Sequence, residues 1–419
     1  MTARDVARRV LDRVSRGSWA TPTLDGELAR AGLDERDRRL ASELVYGVLR
    51  HQARIDRALA AHAKLSRTPP RVITALRIAT YQVLFLDRVP GYAAVDDAVA
   101  AARAAAGAKL AGFANAVLRK VVSAGEPPLP ADPTERLEIE HSLPRWILDE
   151  LEAAADDAAP AIAAALAEPP PLIARVNQRR TTRQALVAAL AVEGITATPV
   201  ELSPTALRLE SAGDPSRSPS FAAGDWTVQD TGAQLVGHLA APRANQRILD
   251  GCAGVGGKAT HLAELIGDRG LIVAADQSAT KLGLLAETAR RLGLSSVQRV
   301  TCDLLDRSAP LGDAYDLIVL DAPCSGLGVL RRHPDAKWRL TPGDVPRLAA
   351  LQRQLLDAML PRLSPGGSLI YSVCTFTRAE GPEQIAAFAA RTGMRIVEER
   401  RTWPPDADAF YIARLERRP

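Results

Sequence analysis

The sequence predicts a multidomain protein: an all-α N-terminal domain, a small α+β subdomain, and a C-terminal doubly wound α/β domain. Apolar residues recur at helical spacing through residues 1–125, and short alternating stretches follow in the middle of the chain. Strand and helix patterns then alternate to the end, which is typical of a parallel sheet covered by helices. The chain has 419 residues, more than one ordinary compact domain contains. We place the domains at 1–125, 126–240 and 241–419.

Each segment has its own signals. In the first, helices are predicted over 5–15, 35–63, 71–85 and 92–106, and prolines from 127 to 133 mark a linker. In the second, a helical stretch over 138–167 is expected to break at Pro160. Strands at 172–176, 196–202 and 206–209 with a helix at 182–193 then predict the α+β subdomain. In the third, strands are predicted at 247–249, 270–275, 297–302, 315–320 and 368–373, closed by an antiparallel pair at 395–398 and 409–415.

The charge is uneven along the chain. The net charge is +4, but residues 1–125 contain 21 Lys and Arg against 12 Asp and Glu, and the remainder is net negative. A basic part suggests contact with a polyanion, although a solvated surface of uneven composition explains the count equally well.

Other global features exclude whole classes of protein. The N-terminus lacks the apolar core of a signal peptide, and no uncharged apolar run reaches the ~20 residues that span a bilayer. The four cysteines include no Cys-x-x-Cys pair, so neither a zinc site nor a disulfide framework is expected. We expect a cytoplasmic monomer with no metal and no membrane contact.

A glycine-rich turn, Asp250-Gly-Cys-Ala-Gly-Val-Gly-Gly-Lys258, follows the first strand of the third domain. Glycines there let the backbone approach a ligand in the crevice where doubly wound folds bind cofactors. Ala259 stands where a phosphate-binding loop needs Ser or Thr, so that alternative is disfavoured.

Acids close the next two strands: Asp276 can accept ribose hydroxyls and Asp303 an adenine amino group. The alternative for either one alone is a helix N-cap, which is the less favoured explanation for Asp303. Together with the loop, they favour S-adenosylmethionine over a dinucleotide, because that cofactor is cationic and has no pyrophosphate.

Cys324 and Cys374 follow the fourth and fifth strands, which are neighbours in the strand order 3-2-1-4-5 that we expect for this fold. Neighbouring strands lie ~4.8 Å apart, so both thiols should face one cleft beside the cofactor. A thiolate that adds to carbon 6 of cytosine makes carbon 5 nucleophilic enough to accept a methyl group. Asp321, three residues before Cys324, is placed to hold the amino and ring-nitrogen edge of that base.

These motifs, together with Ser372-Val-Cys-Thr375, resemble the Nop/Sun family of RNA cytosine-5 methyltransferases. Residues 328–338 and 227–230 are similar to its bacterial Sun/Fmu branch, and residues 1–125 resemble the helical RNA-binding fold of NusB. The resemblance implies a class I, Rossmann-like methyltransferase domain. It also implies a 16S ribosomal RNA substrate, as naked RNA or as a small-subunit assembly intermediate.

The resemblance also implies residue roles. Cys374 would be the nucleophile, Cys324 would assist product release, and Asp321 would serve catalysis and cofactor binding alike. The S-adenosylmethionine site would comprise Cys252, Ala253, Gly254, Val255, Gly256, Gly257, Lys258, Asp276, Asp303 and Asp321.

The chain departs from the family pattern at two positions. Val255 stands where the family usually has proline, which frees the loop backbone, and Val373 replaces the usual Thr before the nucleophile.

Two basic features have open alternatives. Lys258 is either a cation near the reacting groups or a solvated helix-start residue. Residues 331–333 with Lys337 and Trp338 are candidates to grip phosphate and stack on a base, but Trp338 is equally explained by core packing.

Competing functions lack their own signals. A DNA cytosine methyltransferase usually carries a Glu-Asn-Val motif, and an exocyclic-amino methyltransferase needs Pro-Pro-aromatic where Ala322-Pro-Cys324 stands. Methylation of another RNA stays open, as does a non-catalytic RNA-binding or antitermination-type factor, although the intact cysteines argue against decay.

Overall fold

The computed structural model describes residues 1–87 and 89–417. They form two compact units. The helical unit comprises Met1–Pro169 with Leu330–Leu340, and the sheet unit comprises Pro170–Val329 with residues 341–417. The division 1–125, 126–240 and 241–419 stays a proposal about domains.

The α-helices of the described residues are numbered in chain order. They are α1 Ala3–Val14, α2 Ala20–Ala31, α3 Glu35–Arg50, α4 Gln52–Ala60, α5 Pro70–Phe85, α6 Gly91–Ala106, α7 Ala108–Ala124, α8 Pro133–Glu140, α9 Arg145–Ala155, α10 Ala159–Ala167, α11 Arg183–Val192, α12 Pro219–Ala222, α13 Thr231–Ala240, α14 Gly257–Leu265, α15 Ala279–Leu292 and α16 Ala336–Arg339. Two further helices, α17 Asp344–Met359 and α18 Pro382–Thr392, complete the set.

The described strands all lie in the sheet unit. They are β1 Leu172–Val176, β2 Thr196–Pro199, β3 Ala206–Glu210, β4 Trp226–Val228, β5 Arg247–Gly251, β6 Leu271–Asp276, β7 Val297–Thr301, β8 Tyr315–Asp321, β9 Leu363–Val373, β10 Arg395–Thr402 and β11 Phe410–Glu416.

The helical unit confirms the predicted all-α class and corrects two details. The single helix predicted over 35–63 is two helices, which meet at His51. His51 is a cap residue for both, and its ring stacks on Phe85 at 4.6 Å. The break expected at Pro160 lies earlier, at Asp156, and Pro160 sits in the first turn of α10. Proline is tolerated there because the first amides of a helix have no intrahelical partner.

The segment Leu330–Leu340 packs within the helical unit. Lys337 is buried and donates to the Arg50 carbonyl (2.8 Å), and the Trp338 indole donates to the Leu49 carbonyl (2.7 Å). Trp338 also packs against the apolar core of this unit. Of the two alternatives for Trp338, the structure therefore has core packing, and the ammonium of Lys337 is engaged by a backbone oxygen.

The α+β subdomain forms a four-stranded antiparallel sheet in the order β2-β3-β1-β4. The strand β4 is absent from the sequence prediction, because three residues are too few to show a period. Its Trp226 is fully buried and donates to the Ser220 hydroxyl at 2.9 Å.

The seven-stranded sheet has the order β10-β11-β9-β8-β5-β6-β7. Its first five strands in sequence run parallel in the predicted order 3-2-1-4-5, and β10 and β11 form the expected antiparallel pair. In the register of β8 against β9, Asp321 lies opposite Ser372. The predicted fold class is confirmed, and the carboxyl ends of β5, β6, β8 and β9 share one edge.

Lys337 makes the stability of the protein depend on pH. Burial, and then the charge of Arg50, lower the pKa of Lys337 to about 7. Between that value and its ordinary value of 10.5, the unfolded chain holds a proton that the folded chain does not, so stability rises with pH. We expect Lys337→Met to remove a rise of about 2 kcal/mol in the unfolding free energy between pH 7 and 9, measured by urea denaturation.

The exposed Lys64 of the same unit provides the matched control, because Lys64→Met should leave the slope of stability against pH unchanged. If stability rises with pH as steeply in Lys337→Met as in the native protein, the lowered pKa of Lys337 is contradicted.

Candidate active site

The loop between β5 and α14 is shaped by residues with positive φ. Cys252, Gly254 and Gly256 have φ values of 62°, 57° and 87°. A Cβ on Gly256 would collide with the side chain of Leu285, so glycine is required there for both conformation and space. The loop turns its backbone towards the carboxyl edge of the sheet and ends as the first turn of α14.

Val255 lies at the tip of this loop, with 54% of its surface exposed. The replacement of the family proline therefore lies at a largely exposed position. Val373, the second position that departs from the family pattern, is the last residue of β9 and is fully buried in an apolar cluster. An apolar side chain is therefore accommodated there.

Asp276, at the end of β6, holds the loop in place. One carboxylate oxygen accepts the Gly254 amide at 2.9 Å and the other accepts the Ser278 amide at 2.8 Å. Asp303 is exposed just beyond β7, and its carboxylate accepts the Leu305 amide at 2.9 Å. Both acids therefore cap local backbone amides, and each carboxylate oxygen retains a second lone-pair direction for a ligand.

Asp250, on β5, is a buried acid beside the glycine loop. It is fully buried, and although the backbone amide of Ala259 interacts with its carboxyl group, neither oxygen has a hydrogen bond of full geometry among residues 1–87 and 89–417. Burial raises the pKa of Asp250 to about 8, against the opposing charge of Lys258. Buried polar groups are seldom left unsatisfied, and those that are tend to mark a ligand or a catalytic role.

Lys258 is held in the cleft by Asp321, at 2.5 Å, and has only 12% of its side chain exposed. Burial lowers the pKa of Lys258, but the charge and hydrogen bond of Asp321, together with the charges of Asp250 and Cys374, outweigh it and the pKa is raised. The second oxygen of Asp321 accepts the Ser372 hydroxyl at 2.8 Å. Lys258 is thus an ion-paired cation within the site, and the alternative of a solvated helix-start residue does not apply.

Cys324 and Cys374 lie together, with their Sγ atoms 3.4 Å apart. The hydrogen bond with Cys374, and then burial, raise the pKa of the Cys324 thiol well above its usual range. Lys258 interacts electrostatically with Cys374. The predicted pair of thiols therefore exists, with one member kept protonated and the other near a cation.

The other two cysteines are different. Burial raises the pKa of both the Cys252 and the Cys302 thiols. A buried thiol that resists ionisation is a poor nucleophile, so these two are suited to packing.

Comparison with known proteins decides the family. Residues 238–416 match the family model described as 16S rRNA methyltransferase RsmB/F. Residues 1–123 match the NusB family, and residues 143–215 match the ferredoxin-like domain of RsmF/B-like methyltransferases.

Whole-chain relatives agree. The Ribosomal RNA small subunit methyltransferase B of Pseudomonas putida is 37% identical over 439 residues, which cover 99% of this chain and 98% of the relative. The Probable ribosomal RNA small subunit methyltransferase B of Synechocystis is 36% identical over 396 residues, covering 93% and 89%. The chain belongs to the RsmB/F methyltransferase family. The crystal structure of PH0851 shares the fold, with a TM-score of 0.83 over 98% of this chain and 97% of that one, at 22% identity.

Membership of the RsmB/F family confirms the predicted resemblance, the enzymatic class and the use of S-adenosylmethionine. The carboxylates of Asp276 and Asp303 and the glycine loop, at one edge of the sheet, fit a cationic adenosine cofactor. No helix among the described residues is long and apolar enough to cross a membrane.

Three side chains that support the site of this RsmB/F enzyme were not predicted from the sequence. Arg175 on β1 is fully buried and donates to the Gly257 carbonyl at 2.7 Å, so the α+β subdomain supports the first turn of α14. Ser372 braces Asp321, and Glu380 accepts hydrogen bonds from the segments after both active-site cysteines. An isolated Arg, Ser or Glu has no sequence signature, and only long-range contacts identify these three.

Asp276 provides a test of the cofactor site. We expect Asp276→Ala to weaken S-adenosylmethionine binding by about tenfold or more in isothermal titration calorimetry, because it removes both a ligand acceptor and the anchor of the Gly254 amide. Asp268 is a matched control, since it caps the amides of Ser295 and Ser296 before β7, at the opposite edge of the sheet. Equal affinity in Asp276→Ala and the native enzyme would remove Asp276 from the site.

Proposed function

We propose that this enzyme methylates carbon 5 of a cytosine in 16S ribosomal RNA, through a covalent bond between Cys374 and carbon 6 of the base. The observation that carries the proposal is the pair of thiols, 3.4 Å apart, at the ends of adjacent strands β8 and β9. One thiol suffices to form an adduct, and a second at contact distance suits a separate proton-transfer or release step.

The residues divide the work as follows. The thiolate of Cys374 adds to carbon 6, beside the ammonium of Lys258, with which Cys374 interacts electrostatically. S-Adenosylmethionine, when bound, supplies the methyl group as an electrophile and leaves as the neutral thioether. A base then takes the carbon 5 proton, the bond from carbon 6 to sulfur breaks, and the electron pair returns to Cys374. Cys324 assists this release, and Asp321 holds the polar edge of the base.

The cofactor would be held by the loop from Cys252 to Lys258 and by Asp276, Asp303 and Asp321. Asp276 fixes the Gly254 amide of this loop. Because S-adenosylmethionine carries a positive charge at sulfur, a site with several carboxylates and one cation favours it over the neutral product.

The RNA substrate is proposed from the relatives and from charge. The curated relatives carry names that specify small-subunit ribosomal RNA. The first 125 residues, with their excess of basic side chains, match the NusB family over most of their length. We propose that this part binds 16S RNA or an assembly intermediate with a salt-dependent affinity, and that the enzyme acts as a cytoplasmic monomer. The target base must be unpaired or flipped out to reach the thiols.

Substitution of the two cysteines should have different effects on the RNA–protein adduct. Cys374→Ala should abolish methyl transfer and the release of tritium from carbon 5 of labelled cytosine, because no adduct forms. Cys324→Ala should form the adduct but not resolve it, so a covalent RNA–protein band accumulates on a denaturing gel. Cys302→Ala is the control, and should retain methylation. An adduct in Cys374→Ala with none in Cys324→Ala would reverse the two roles.

The substrate is tested in cells. In a deletion strain, bisulfite sequencing of 16S RNA should show the loss of one 5-methylcytosine, and the native gene should restore it. Restoration should fail with the Cys374→Ala gene. If the 16S pattern is unchanged while another RNA loses its mark, the RNA assignment is wrong and the chemistry stands.

A further inference from the structure

Glu380 is a fully buried acid, in the segment between Cys374 and α18, to which the proposed reaction gives no role. Its carboxylate accepts four hydrogen bonds, all from neutral donors. One oxygen accepts the Ser325 amide (2.8 Å) and the Gln352 side-chain amide (3.0 Å), and the other accepts the hydroxyls of Ser325 (2.5 Å) and Thr377 (2.8 Å). All four lone-pair directions of the carboxylate are therefore used.

Two of these partners, Ser325 and Thr377, lie in the segments that follow Cys324 and Cys374 in sequence. Ser325 comes immediately after Cys324, and its hydroxyl also contacts the hydroxyl of Thr375, which follows Cys374, at 2.8 Å. Gln352, on α17, donates at 2.9 Å to the carbonyl of Pro323, on the other side of Cys324. The residues flanking one cysteine are thus joined to the segment after the other through this buried acid and its partners.

The acid is itself held rigidly. Its backbone carbonyl accepts the hydroxyl of Tyr371, a residue of β9, at 2.7 Å. The Gly328 amide donates to the Cys374 carbonyl at 3.0 Å, so the two segments also meet through their backbones. Fixing two loops this closely matters, because displacement of a reacting group by about 1 Å costs about a hundredfold in rate.

We propose that Glu380 is a positioning residue that holds Cys324 and Cys374 at contact distance, by accepting hydrogen bonds from the segments that follow both cysteines. The hydrogen bonds of its carboxylate are made to Ser325, Thr377 and Gln352, so it acts through these side chains. Its charge also adds to the raised pKa of the Cys324 thiol. The inference rests on the proposed two-cysteine reaction, because that reaction is the reason that the spacing of the two thiols matters. The spacing itself can be measured without RNA.

The variants follow from the hydrogen bonds. Glu380→Ala removes all four acceptors. Glu380→Gln retains the shape, because its amide oxygen can face the two amide donors while its NH₂ group faces the two hydroxyls, which also accept. Asp268→Ala is the matched control, because this carboxylate also receives four hydrogen bonds from Ser295 and Ser296, but at the opposite edge of the sheet.

The first measurement is the rate at which diamide links Cys324 to Cys374 in the full-length protein, mapped by peptide mass spectrometry. The two thiols lose two electrons and two protons to the azo bond of diamide and form one disulfide. Disulfide geometry is narrow, so we expect linkage in Glu380→Ala to slow by about tenfold or more. Linkage should stay within about twofold of the native rate in Glu380→Gln and Asp268→Ala.

The second measurement is the RNA–protein adduct under single-turnover conditions. Because Cys324 is displaced, Glu380→Ala should accumulate adduct as Cys324→Ala does, whereas Glu380→Gln and Asp268→Ala should turn over without accumulation. A purely structural role would lower the melting temperature without adduct. If Glu380→Ala does not fold, Ser325→Ala combined with Thr377→Val removes the two hydroxyl donors and should give the same slowing and the same adduct.

The outcomes separate the two proposals. Native linkage rates in Glu380→Ala, or in the double variant, would overturn the positioning role whatever the reaction is. Slow linkage in those variants, with no adduct in any variant including Cys324→Ala, would support the positioning role and overturn the covalent mechanism.

Discussion

The register of β8 against β9 is the constraint on which the candidate active site depends. Asp321 pairs with Ser372 across these parallel strands, so the residues that leave the two strand ends emerge side by side. Cys324 and Cys374 lie on those emerging segments, and their sulfurs meet. A slip of one residue would turn the side chains of a strand to the other face of the sheet, and the acid, its serine brace and the thiol pair would separate.

The same edge of the sheet concentrates charge. Asp250, Asp276 and Asp321 end three neighbouring strands, and Lys258 is the cation paired with one of them. Burying Lys258 and Asp321 as a pair offsets part of their desolvation. The buried Asp250 instead has a pKa of about 8, which keeps it mostly neutral at pH 7. A cationic ligand at this edge would therefore meet Asp276 and Asp321 rather than Asp250.

Two buried hydrogen-bond networks support the loops of the candidate active site. Arg175 holds the first turn of α14 through the Gly257 carbonyl, and Glu380 gathers the segments beyond the cysteines. Both side chains satisfy their hydrogen-bonding groups with several partners, and such networks specify one arrangement because a displaced member leaves a buried polar group unpaired. Cys324 and Cys374 lie on short loops, and these networks make the loops rigid.

Much of the molecule follows from the sequence alone. Helical spacing in the first domain, the strand and helix alternation in the third, the glycine loop, the strand-end acids and the two cysteines are local patterns, and their order predicted the parallel sheet. The sequence did not predict the break at His51, the three-residue strand β4, the burial of Lys337, or the roles of Arg175, Ser372 and Glu380. For Trp338 it left base stacking and core packing equally open, and the structure has core packing.

The physical reason is the range of the interactions. Periodicity and turn residues act over a few neighbours, so they can be read along the chain. A hydrogen bond between residues 55 or 82 positions apart exists only after the sheet has formed, as for Ser325 with Glu380 and Arg175 with Gly257. The sequence therefore determined which groups reach the carboxyl edge, and the tertiary structure decided which of them are paired, buried or held at contact distance.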